Sequence, residues 1–103
     1  MANTFLNYTS SLTDATETTV YTVPASTTGI ILGCNVANTT TSQVTVDVKC
    51  ATKYVVKGAP VPSGSALSVL DGKLIAEAAD TVTVQSSDSS GNVDVIVSVM
   101  EQS

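Results

Sequence analysis

A chain of 103 residues fits one domain, and a domain of this length buries about 60 to 70% of the surface its unfolded form exposes, enough for one modest core. Hydrophobic residues make up 43% and charged residues 13%, which excludes a disordered chain. The formal net charge is −5 and arginine is absent, which excludes a basic footprint for nucleic acid and a bidentate clamp for phosphate.

Taken from the start, Met1-Ala2-Asn3-Thr4-Phe5-Leu6 has neither a basic n-region nor an apolar h-region, so synthesis in a cytoplasm without a signal peptide is expected. A strand is predicted at Phe5 to Thr9 and a polar turn at Thr13 to Thr16. Residues 1–17 are read as an N-terminal segment or arm with a possible edge strand, and 18–103 as a single β-sandwich domain. Valine dominates the apolar residues and Thr and Ser the polar ones; β-branched side chains fit a pleated sheet better than a helix. Thr18 to Val23 alternates and stops at Pro24, which cannot donate to a ladder. Gly29 to Ala37 is the most apolar strand, with both faces small or apolar, and should be central. Its longest apolar run, Gly29 to Cys34, is far short of the roughly 20 residues that span a bilayer, so no membrane partner is expected.

Asn38 to Ser42 reads as a turn, after which Val44, Val46, Val48 and Cys50 alternate with polar residues. If the flanking strands form a hairpin about Thr40, Cys34 lies opposite Val46 and Cys50 opposite Ile30, so the cysteines are not cross-strand partners. Two buried free thiols are expected. Lys53 to Lys57 is a short strand, Pro60-Val61-Pro62-Ser63-Gly64 an extended loop, Ser65 to Leu70 a strand, and Asp71-Gly72 a tight turn. Leu74 to Ala79 is the one place where a helical turn is expected, since Ala and Glu favour helix. Thr81 to Gln85 and Asn92 to Glu101 complete the strands, with Ser86 to Gly91 as a hairpin loop between them. About eight strands and no room for crossover helices predict an all-β, antiparallel, jelly-roll-like β-sandwich. Val46 and Val95 should face its core.

Catalytic chemistry is sparse. Without histidine the commonest general base and metal ligand is missing. Cys34 as a nucleophile would need a cation such as Lys49 beside it, and its apolar strand predicts an inert thiol. Glu77 and Asp80 form the remaining carboxylate pair, but a glycosidase cleft wants aromatic platforms and aromatics are 4%. Asp80 is expected to accept from backbone amides at its turn. Asp88-Ser89-Ser90-Gly91-Asn92-Val93-Asp94 spaces oxygen ligands as some calcium loops do, yet its glycine is misplaced and no bidentate Glu closes it. Asn7-Tyr8-Thr9 and Asn38-Thr39-Thr40 match the glycosylation sequon by chance in a Thr-rich chain. No catalytic, cofactor-binding or metal-binding residue is assigned, no cofactor is expected, and the chain is read as not an enzyme.

Thr19 to Ala25, Gly29 to Asn38, Pro60 to Ser65, Leu74 to Val82 and Val95 to Glu101 together resemble small virion structural proteins of tailed bacteriophages, especially those infecting cyanobacteria and other aquatic bacteria. Ala79 departs from that pattern, which has glycine before the aspartate. The resemblance implies a virion protein made in the host cytoplasm: a capsid cement or decoration protein that stabilises the shell by binding between capsid subunits. Its partners would be the major capsid protein or other virion proteins, and it would form a homo-oligomer, with a trimer favoured. A neck or tail adaptor, or a fibre-attachment protein, is the alternative, and a carbohydrate-binding module with Tyr8, Tyr21 and Tyr54 a further one. The hydroxyl-rich faces and the segment Ala2 to Leu12 are the candidate contacts.

Overall fold

The computed structural model describes residues 3–70 and 72–103, and there the chain forms nine strands and no helix. They are β1 (Asn3–Leu12), β2 (Thr18–Thr22), β3 (Thr28–Asn38), β4 (Val44–Cys50), β5 (Lys53–Val61), β6 (Ala66–Ser68), β7 (Leu74–Ala76), β8 (Thr81–Ser86) and β9 (Val93–Gln102). The first sheet has the order β1-β9-β3, with β6 and β7 sharing the position beyond β3; the second has the order β2-β8-β4-β5. All pairings are antiparallel.

The topology follows from folding the chain back at the β4–β5 turn. Moving outward from that turn, β4 pairs β5, β3 pairs β6 and β7, β2 pairs β8, and β1 pairs β9. Successive pairs of this ribbon alternate between the two sheets, and wrapping it round adds the β3–β9 and β4–β8 ladders. That is the jelly roll, with nine segments in eight strand positions.

Valine alternation fills the interior. Val44, Val46 and Val48 of β4 and Val82 and Val84 of β8 face Val36 of β3 and Val93, Val95, Val97 and Val99 of β9, all buried. Each contributes about 1.5 to 3 kcal/mol. Tyr21 and Ile31 close one end, where the Tyr21 hydroxyl donates to Glu101 Oε2 at 2.7 Å. Burial, and then that carboxylate, push the Tyr21 phenol far above its ordinary range.

Several local expectations are corrected. The segments before and after Thr40 are not a hairpin: β3 and β4 lie in different sheets, Cys34 sits opposite Val97, and Cys50 opposite Lys53 and Val82. Nor is Ser86 to Gly91 a hairpin loop, since it carries the chain from β8 in the second sheet to β9 in the first. Leu74 to Ala76 is extended rather than helical, because pairing with Gly29 to Ile31 outweighs the weak helix preference of Ala and Glu. β5 runs on through Pro60 to Val61, which an edge position permits, and the strand expected at Ser65 to Leu70 shortens to β6. The proposed Asp71-Gly72 turn falls partly outside the described residues, as do Met1 and Ala2.

Asn38 fixes the crossing from β3 to β4. Its buried amide donates to Ser42 O at 2.7 Å and Val61 O at 2.9 Å and accepts from the Thr40 backbone N–H and hydroxyl at 2.8 and 2.7 Å. Four bonds on one side chain leave no polar atom unpaired in the dry interior.

The β4–β5 turn has Ala51 at φ 52° and Thr52 at φ 67°, and Ala79 has φ 72°. Such angles crowd a Cβ, most severely a branched one. Thr52→Gly and Ala79→Gly should therefore each raise stability, by about 0.5 to 1 kcal/mol after the added freedom of the unfolded chain is set against the relief. Urea midpoints should show it.

Candidate assembly surfaces

Strand register brings together side chains far apart in sequence. On the outer face of the first sheet Phe5 lies opposite Met100, Met100 opposite Ile30, and Ile30 opposite Ile75. This makes one apolar row from edge to edge of the sheet. Its end members are the most open, Phe5 at 69% and Ile75 at 73% exposure. Leu32, at the irregularity between Ile31 and Gly33, and Ile96 stand on the same face, so four of the five large exposed hydrophobic residues among those described share it. The corresponding row on the second sheet is Thr19, Thr83, Lys49 and Tyr54. There Lys49 pairs with Glu17 at 3.1 Å, and the Lys49 and Lys57 ammonium groups lie 4.8 and 4.6 Å from the Tyr54 ring centre. The first outer face thus carries an apolar row among polar side chains, and the matching row on the second is polar.

The edges differ as well. β5 carries Lys53, Lys57, a left-handed Gly58 and Pro60, all devices that discourage a further strand. β2 is five residues long with a register break at Thr19 to Tyr21, and β6 and β7 are three residues each. β1 is ten residues long, unbroken against β9, and has no charge and no proline. It is the edge most open to strand addition.

The residues considered for chemistry are dispersed. Cys34 and Cys50 are both free, but only Cys34 is buried; Cys50 is half-buried beside Lys53, Tyr54, Leu74 and Ile75, a correction to the expectation of two buried thiols. Burial pushes the Cys34 thiol up to about 11, and burial followed by the Asp80 charge raises Cys50 less. At pH 8 a maleimide should therefore label Cys50 first and Cys34 far more slowly, because Cys34 is both shielded from the reagent and disfavoured as thiolate. Intact mass should show a single adduct before denaturation and two after it.

Asp80 Oδ2 accepts the Glu77 backbone N–H at 2.9 Å, and the Asp80 carbonyl accepts from Val23 N–H, so the Glu77–Asp80 pair closes a turn. The Asp88 carboxylate is occupied by the Ser90 N–H at 3.0 Å and the Asn92 side-chain amide at 3.3 Å. Among the described residues no group of three or more metal-ligating side chains forms, and no helix is long and apolar enough to cross a membrane. The Asn38 sequon is buried in the corner described above, whereas Asn7 is exposed and accepts from the Ser98 hydroxyl at 2.7 Å. Of the three tyrosines Tyr21 is buried, with the Tyr8 ring tilted against it at 4.7 Å between centres, leaving Tyr54 as the open ring. The apolar row had no sequence signal, because residues 5, 30, 75 and 100 become neighbours only through register.

No protein-family model matches this chain, and no curated protein matches it. Among solved structures it is similar to a protein of Bacillus endospore appendages, described as a novel family of disulfide-linked pili, with 18% identity over 99% of this chain and 85% of that one and a TM-score of 0.51. At that identity the likeness concerns the β-sandwich fold.

Proposed function

We propose that the protein is a structural component of a bacteriophage virion, of the capsid cement or decoration type, which binds the assembled shell through the outer face of its first sheet. The observation that carries this reading is the concentration of exposed Phe5, Leu32, Ile75 and Ile96 on that face while the opposite face is polar. Contiguous exposed apolar side chains mark contact surfaces. The resemblance of the strand and turn segments to small virion proteins supplies the particle, and jelly rolls recur among viral capsid domains. Binding only the assembled shell would stabilise it by mass action.

A neck or tail ring, or a filament subunit of the kind the Bacillus appendages build, is the second reading, favoured by the uncharged β1 edge. Antibody against the recombinant protein, applied as immunogold to purified phage particles with mass-spectrometric copy counting, separates these. Label over heads at hundreds of copies is the expected result. Six or twelve copies at the neck would move the protein there, and absence from virions would end the virion reading.

A further inference from the structure

We propose that copies of this chain join side to side, the β1 edge of one copy adding to the β7 and β6 edge of the next, so that the first sheet continues across the joint. The association belongs to the purified chain and stands apart from the virion reading, which particle mapping tests.

Strand direction permits it. The first sheet has four strand positions that alternate in direction from β1 through β9 and β3 to β6 and β7. A neighbour placed by simple sideways translation therefore sets its β1 antiparallel to β7, with no reversal needed. An odd number of positions would have forced a parallel joint.

Side chains match in the same placement. The apolar row ends at Phe5 on one edge and Ile75 on the other, its two most exposed members, and translation sets the Phe5 of one copy beside the Ile75 of the next. Cross-strand aromatic and β-branched pairs stabilise antiparallel sheets. The row then runs on from copy to copy.

Charge points to the same partner. Residues 3–22, which form the β1 and β2 flank, contain the acids Asp14 and Glu17 and no lysine, whereas residues 53–76, on the opposite flank, contain Lys53, Lys57 and Lys73 and one acid, Asp71. Glu17 is already paired with Lys49 of its own chain, so Asp14 is the acid left to complement the lysines of the next copy's flank, while two lysine-bearing flanks repel each other. A second copy is thus the occupant, in a head-to-tail contact. Such a contact closes into a ring when the rotation per copy allows and otherwise runs as an open filament.

The test uses the full chain and two variants, Phe5→Asp and Ile75→Asp, at positions open enough to leave the fold intact. Light scattering of the wild type should show mass rising with concentration. Each variant alone should be monomeric, and an equimolar mixture should form a species of two copies and no more, because one intact edge remains on each. A wild type that stays monomeric at millimolar concentration overturns the proposal. So does an Ile75→Asp variant that dimerises alone, which would mean β1 pairing with β1, or a mixture that stays monomeric while the wild type associates, which would mean face-to-face packing. If thermal melting shows a variant misfolded, hydrogen exchange of the wild type decides: protection growing with concentration in 3–12 together with 66–68 or 74–76 supports the joint, and growth confined elsewhere overturns it.

Discussion

Replacing Val46 or Val95 with aspartate should leave no folded, soluble protein. Val46 is completely buried on the inner face of β4 and Val95 is 1% exposed on the inner face of β9, so the two substitutions attack opposite walls of one interior. Each removes about 1.5 to 3 kcal/mol of apolar burial. Each also places a carboxylate where no lysine lies within the core, at an effective cost of several kcal/mol. Against a total stability of about 5 to 15 kcal/mol the combined loss exceeds what a domain of this size tolerates. Val46→Ala, which removes two methyl groups and adds no charge, should cost about 2 kcal/mol and remain soluble. Soluble yield and urea melts of the three variants check this; an unchanged Tm in either aspartate variant would mean that its side chain does not face the interior.

Gly91→Ala should cost about 4 kcal/mol or more, well above the usual effect of adding one methyl group. Two independent penalties coincide there. Gly91 has φ 73°, in the left-handed region, and a Cβ at this position would collide with the Leu12 carbonyl group and lie 2.7 Å from Thr13 N. Those atoms are backbone at the end of β1, so they have no rotamer to escape into. The contact also explains the local bonding: Asn92 N–H donates to Leu12 O at 3.0 Å, and the Ser86 hydroxyl donates to Gly91 O at 2.8 Å. The loop from β8 to β9 is thereby sealed against the turn that leaves β1. Gly72, at φ 121° with nothing close to its missing Cβ, is the internal comparison, and Gly72→Ala should cost only the backbone strain of about 1 to 2 kcal/mol. Equal effects at the two sites would remove the steric half of the argument.

The class of fold was legible because valine at every second position in 44–48 and 93–99 can be dry on one face only as a strand. Pairing was harder. Asn38 to Gln43 and Ser87 to Asn92 carry the same Ser, Thr, Asn and Gly as hairpin loops, and nothing local distinguishes a turn that returns to the same sheet from one that crosses to the other. The hint was Asn38 itself, whose amide forms more bonds than an exposed turn residue needs. Conversely, the tight hairpin at Ala51-Thr52 lacks the Asn-Gly chemistry that such a turn prefers and so gave no signal. The expected contact segment did include Phe5, but its partners Met100, Ile30 and Ile75 come from three other strands, and only the ladder aligns them.

Asn3 lies opposite Gln102, so the first and last strands meet along their whole length. A short linker could tie residue 102 back to residue 3, and the exposed tip at Ser63-Gly64 could supply new ends without cutting any strand. In the natural order the β1–β9 ladder joins residues as far apart as Asn3 and Gln102, which makes it the costliest pairing to form early. A circularly permuted version would turn that distant meeting into a neighbouring one, and faster refolding should follow.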